Sequence, residues 1–333
     1  MSRKGVLLVN LGTPDAPTYK GLRTYLNQFL TDRRVIDIPW LFRNMIFKGI
    51  VAPLRSGKVS KLYKSIWMEE GSPLKVYGER VTKGVQEILG DDYVVELAMR
   101  IQNPSIESAL NKLRAANVSE IIVFPLFPQY SSATTGSVFE EVMRLLGKRE
   151  QIPNIRMVNS YYDHPEMLAI YADNARKMGL DNYDHYIFSF HGVPTRYLKK
   201  ENNYCKCDTN CCQKIVPENQ FCYTAQCNAT GHAIAALLNI PKENYTIAYQ
   251  SKFGREEWVQ PYLDDVLEER LAKGDKRIMA FSPSFVADCL ETTMEIAVEY
   301  NEEFIEGGGE GLDLVQSLND DPRWIRIVAD LVK

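Results

Sequence analysis

The sequence predicts an α/β fold built from two similar domains. Short β-rich apolar runs recur with amphipathic segments between them, the alternation that βαβ units and parallel sheets require. The chain has 333 residues, room for two domains at roughly 150 residues each. Two strand ends also echo each other: Ile121-Ile122-Val123-Phe124-Pro125 and Ile278-Met279-Ala280-Phe281-Ser282-Pro283 each close on an aromatic and a proline-bearing turn before a helix.

Taken in order, the apolar runs at 5–11, 93–99, 120–127, 155–160, 186–190, 245–249 and 277–281 read as strands, rich in Val, Ile, Tyr and Phe. The amphipathic segments at 19–30, 74–89, 106–115, 138–146, 165–178, 226–238, 258–273 and 287–303 read as helices, and 322–332 as a short one. Gln151-Ile152-Pro153-Asn154 is a turn-like linker between a helix and a strand. The expected division is therefore 1–154, 155–308 and a C-terminal segment, 309–333, that packs back on the first domain. Open α/β sheets bind ligands outside the carboxyl ends of their strands, so the strand ends are where function is sought.

Composition narrows the field. Apolar residues make up 45% and charged residues 25%, ordinary globular usage. A net charge of -4 supplies no global basic field for nucleic acid, so an anionic ligand must be met locally. No apolar run approaches the length of a spanning helix, and Val6-Leu7-Leu8-Val9 is too short for a signal-peptide core, so the expected location is the cytoplasm. Neither G-x-G-x-x-G nor G-x-x-x-x-G-K-[ST] follows an expected strand, which disfavours a nucleotide enzyme.

Between Ile38 and Met68 there is no Asp or Glu, yet Arg43, Lys48, Arg55, Lys58, Lys61 and Lys64 stand among Trp40, Leu41, Phe42, Met45, Ile46 and Ile50. Such a stretch is either an amphipathic lip, resting on a membrane surface or covering a flat apolar ligand with acid groups, or a solvated helix face over the core.

His191 ends an expected strand, in Phe188-Ser189-Phe190-His191-Gly192-Val193-Pro194. There a neutral imidazole can act as base or metal ligand, or simply be a hydrogen-bonded turn histidine. His164, His185 and His232 fit structural roles. Asp288, Glu291, Glu295 and Glu299 are spaced by three, four and four residues, one stripe of the expected helix at 287–303. Like charges so aligned either make a path for a hard divalent cation or an exposed acidic face.

These residues resemble one family over nearly the whole chain, the ferrochelatases, which insert ferrous iron into a porphyrin. Val9-Asn10-Leu11-Gly12-Thr13-Pro14, Gly71-Ser72-Pro73-Leu74, Pro125-Leu126-Phe127-Pro128-Gln129-Tyr130-Ser131 with Thr134-Thr135-Gly136, Phe188 to Pro194, Gln250-Ser251-Lys252-Phe253-Gly254 with Trp258, and Asp288-Cys289-Leu290-Glu291-Thr292 carry the resemblance jointly. It implies two Rossmann-like, chelatase-type domains, each a four-stranded parallel sheet flanked by helices, with a porphyrin cleft between. It also implies His191 as the residue that accepts pyrrole protons or ligates iron, paired with Glu291 and with Asp288 one turn earlier. Glu295 and Glu299 resemble the family's iron path. Asn10, Tyr130, Ser131, Thr135 and Trp258 match porphyrin-contacting positions, and 38–68 matches the lip. Cys289 stands where some relatives have histidine.

The implied reaction is insertion of Fe2+ into protoporphyrin IX to form protohaem, the terminal step of haem synthesis. The implied surroundings are peripheral contact with the inner face of a membrane, a homodimer as the candidate assembly, and no nucleic acid. A coproporphyrin III ferrochelatase is the near alternative, and a haem- or iron–sulfur-sensing protein on a chelatase scaffold the distant one.

Five of the seven cysteines, Cys205, Cys207, Cys211, Cys212 and Cys222, fall in one polar loop after His191, with Cys227 close behind. Many members of the family carry a [2Fe–2S] cluster, mostly through a C-terminal extension that does not follow Lys333 here. The density of thiols therefore suggests a [2Fe–2S] cluster on internal ligands, with zinc or free thiols as the alternatives. Cys227 fits a packing role at a helix start.

Overall fold

The computed structural model describes residues 3–200, 204–206 and 210–333. They divide into two compact units, the first of residues 1–127, 131–159 and 319–333, the second of 128–130 and 160–318.

In the first unit, strands β1 (Lys4–Gly12), β2 (Tyr93–Ile101), β3 (Glu120–Pro125) and β4 (Asn154–Met157) form one sheet in the order β2-β1-β3-β4, all parallel. Val6 lies between Val95 and Ile122 in register. A parallel sheet covered on both faces needs apolar residues without alternation, and Val6, Leu7, Leu8 and Val9 are all fully buried. On one face Leu7 and Val9 join Leu110 and Leu113 of the helix Ile106–Ala115 and Val138 and Val142 of the helix Ser137–Leu146.

The second unit repeats the plan with β5 (His185–His191), β6 (Tyr245–Gln250), β7 (Arg277–Phe281) and β8 (Gly311–Leu314) in the order β6-β5-β7-β8, again all parallel. The two echoing segments are β3 and β7, the third strand of each sheet by sequence and the same neighbour of the central strand. Two four-stranded parallel sheets flanked by helices are thus present as expected.

Several elements depart from the sequence reading. The pairing of β4 with β3 carries the first sheet past residue 154, and β8, too short to stand out as an apolar run, completes the second. The basic stretch is helical, as Trp40–Ile46, a wide-turned π-segment Phe47–Val51 and Ala52–Ile66. The helix expected at 226–238 begins earlier, at Tyr223, and the one expected at 258–273 begins only at Leu263. The segment 287–303 is not one α-helix: Asp288 and Cys289 precede it, Glu291–Tyr300 winds with π geometry, and Asn301–Glu306 is α-helical. Thr292 Oγ1 accepts the Cys289 N–H, so a side chain replaces the carbonyl an earlier α-turn would have offered.

The helix Pro322–Leu331 closes the first unit against the helix Pro73–Leu89, burying Trp324, Ile327 and Val328. Gly84 permits the approach, since a Cβ there would meet Ile325 Cγ2 at 2.8 Å.

Candidate active site at the strand ends of the second unit

His191 is the last residue of β5, paired in register with Gln250 at the end of β6. Its Nδ1 is 2.7 Å from the Gly192 carbonyl. A carbonyl only accepts, so in the neutral ring Nδ1 carries the hydrogen and Nε2 the lone pair. The main chain of His191 is fastened twice: its N–H donates to Ser284 Oγ at 3.4 Å, and its carbonyl accepts from the Tyr223 hydroxyl at 2.8 Å. Trp258 and Phe285 flank the imidazole, each with ring centroids 6.4 Å away. Gly192 makes room for that wall, because a Cβ would sit 3.0 Å from both Trp258 Cε3 and the Gln250 carbonyl. Trp258 enters through a bridge to Pro194, and its buried Nε1 has no hydrogen-bond partner.

The carboxylates do not act as one ladder. Glu295 is held by two donors: Ser251 Oγ donates to its Oε2 at 2.6 Å and Gln250 Nε2 at 3.3 Å. Burial pushes its carboxyl above the usual range, opposed by the Ser251 hydrogen bond and the neighbouring His191 charge, while the Glu291 charge adds to the rise. Gln250 also donates to the Glu291 carbonyl at 3.1 Å, so one side chain holds the start of the π-helix and its second carboxylate. Glu299, a further turn away, is exposed. Asp288, ahead of the helix, accepts from the Ser317 N–H and the Thr292 hydroxyl, both at 3.4 Å. Cys289 is buried, and burial raises its thiol well above the ordinary value. Among the described residues no three His, Cys, Asp or Glu side chains converge in an arrangement that could hold a metal ion.

Tyr130 belongs with the second unit, its N–H donating to Gln226 Oε1 at 2.6 Å and its ring edge-on to Phe221. The other three candidates lie in the first unit. Asn10 is buried on β1, where its Oδ1 accepts the Leu11 N–H. Ser131 caps the π-turn Ser132–Gly136, accepting the Ala133 N–H. Within that turn Thr135 is fully buried, yet its hydroxyl has no partner.

Of the cysteines, Cys207 lies outside the described residues. Cys212 and Cys222 pack with Ala225, with Cys211 alongside, and Cys211 Sγ is 3.5 Å from Cys212 Sγ. Cys222 is the N-cap of the helix Tyr223–Leu237. The Cys212 thiol and the amides of Thr224 and Ala225 stabilise its thiolate, pulling its pKa down to about 6 and pushing Cys212 up. Cys205 is half-buried, and Cys227 is buried within the helix rather than at its start.

The structure brings His191 and Trp258 together and sets Glu291 and Glu295 against Gln250, while Tyr223, Gln250, Ser251 and Ser284, which hold these residues, were not singled out from the sequence as holders. The signal for the last three was their position at the ends of β6 and β7.

The chain matches the family model for ferrochelatase over residues 3–333. Ferrochelatases of Legionella pneumophila (strain Lens) and Coxiella burnetii (strain Dugway 5J108-111) are 40% and 42% identical to it, each over 99% of the chain and over 98% and 93% of their own lengths. The sirohydrochlorin chelatase SirB from Bacillus subtilis subspecies spizizenii, solved with cobalt, superposes with a TM-score of 0.54 at 10% identity, covering 99% of this chain and 94% of its own. SirB from Bacillus subtilis with Fe3+ gives 0.53 at 12%, covering 98% and 93%. At those identities the likeness is one of fold.

Proposed function

Because the chain belongs to the ferrochelatase family, we propose that it inserts Fe2+ into protoporphyrin IX, the terminal step of haem synthesis, with His191 as the base. The observation that carries this reading is the bond from His191 Nδ1 to the Gly192 carbonyl, which leaves the Nε2 lone pair for an incoming proton. Porphyrin plus Fe2+ gives haem plus two protons, so the site must take protons from pyrrole nitrogens and pass them on. Glu295, whose carboxylate burial makes more basic than usual, is suited to receive a proton from His191 and deliver it toward exposed Glu299. Glu291 and Asp288 are assigned to the approach of the metal, where carboxylate oxygens replace waters on a hard cation. Trp258 and Phe285 give the aromatic wall a flat macrocycle needs. Asn10, Tyr130, Ser131 and Thr135 are assigned to the porphyrin, the unpartnered Thr135 hydroxyl being a free hydrogen-bonding group.

The same reading includes a [2Fe–2S] cluster held by four of Cys205, Cys207, Cys211, Cys212 and Cys222. Cys211, Cys212 and Cys222 lie in one packed cluster and thiolates are the ligands such clusters select, although among the described residues they do not converge as a ready-made metal site. Metal insertion moves no electrons, so the group's part when bound is to cross-link the loop to the helix Tyr223–Leu237. Peripheral contact with the inner face of the membrane is assigned to the exposed face of 40–54.

The test is anaerobic absorbance of the purified protein with Fe2+ and either protoporphyrin IX or coproporphyrin III. Conversion of the first in preference to the second, falling about 10²- to 10⁴-fold in His191→Ala with the circular dichroism unchanged, is the expected result. A wild type that makes no haem, or a His191→Ala variant that works as well, overturns the reading.

A further inference from the structure

The turn that carries the cysteines is bolted to the helix that holds His191. Asn228 Nδ2, on the helix Tyr223–Leu237, donates to the Cys212 carbonyl at 3.0 Å. Asn219 Nδ2, just before it, donates to the carbonyls of Cys211 and Lys214 at 2.9 and 2.8 Å. Cys222 caps the helix, and the residue that follows, buried Tyr223, sends its hydroxyl to the His191 carbonyl. The hydroxyl of Tyr249, one residue before Gln250 on β6, is buried in the same region without a partner.

We propose that Tyr223 is a positioning residue for His191 and that it transmits the state of the cysteine turn to the base; this rests on His191 being the base. A bond between adjacent residues leaves Tyr223 little freedom when Cys222 is drawn toward or away from Cys212. A 2.8 Å hydrogen bond then passes a displacement on to the strand end. Displacements below an ångström matter there, because a base must meet its proton within hydrogen-bond reach.

The experiment is a double-mutant cycle on the full chain with Tyr223→Phe, Cys222→Ser and the double variant. Insertion kinetics and amide hydrogen exchange at residues 189–192 are both read. Tyr223→Phe is expected to lower kcat about tenfold with the porphyrin KM unchanged and to speed exchange at 190–192. Cys222→Ser is expected to change both in the same direction, and the double variant to be no worse than Tyr223→Phe alone. Cys212→Ser replaces Cys222→Ser should the latter not fold. Wild-type kcat and exchange in Tyr223→Phe, or losses that multiply in the double variant, overturn the proposal. If the wild type inserts no metal, the functional reading falls, while the exchange measurement still decides whether Tyr223 links the cysteine turn to His191.

Discussion

His185 opens β5 as His191 closes it, and the two rings meet opposite conditions. The Nδ1 of His185 accepts from Arg270 at 3.2 Å, so Nε2 carries the hydrogen and faces Thr246 Oγ1 at 2.9 Å. Burial first, then the Arg270 charge, lowers its pKa from 6.5 to about 4. A depressed folded-state pKa gives stability that is full above 6.5 and lost as pH falls toward about 4. The loss is at most on the order of 3 kcal/mol. Urea unfolding of the wild type should therefore weaken over that window, and His185→Gln should flatten the curve; parallel curves would remove His185 as the cause. The sequence placed His185 at a strand start and His191 at a strand end, and both lie there. Tyr223 was not legible, because its part depends on reaching a main-chain carbonyl 32 residues away, which leaves no mark in local pattern.

At the scale of elements, the helices Trp40–Ile46 and Ala52–Ile66 leave Trp40 68%, Leu41 62% and Leu54 77% exposed, beside Lys48, Arg55 and Lys58. Scattered apolar residues are ordinary on a surface, but so many large exposed ones within 40–54, with basic residues in the same stretch, suit an anionic lipid interface. Leu41→Glu with Leu54→Glu should reduce sedimentation with phosphatidylserine vesicles at least tenfold, since each buried leucine is worth roughly 1.5–3 kcal/mol. Thermal stability should hold, because neither side chain is in the core. No vesicle binding by the wild type would end the membrane assignment. Charge patterning revealed this stretch, and apolar runs revealed most strands. The acidic helix was misread because α and π geometry use the same residue types and differ only in which carbonyl each N–H finds. β8 escaped notice because four residues carry too little periodic signal.

For the whole molecule, the presence of two similar domains was visible in the matching ends of β3 and β7, while their shared strand order came from the structure. The return of the C-terminal segment to the first unit was expected as well, with its boundary at 309 where the structure has 319. The first unit is finished by residues 319–333, and Trp324 is 1% exposed within it. Trp324→Ala should cost about 3–5 kcal/mol, read as a lower urea midpoint; a change below 1 kcal/mol would mean that the helix Pro322–Leu331 is peripheral to the first unit's stability.

That sharing sets an order on the ribosome. Domains usually fold as they emerge, the N-terminal one first. Here every residue of the second unit is translated before the last piece of the first arrives. The first half of the nascent chain must wait, with the face destined for Trp324 uncovered, while the later half already has all its strands.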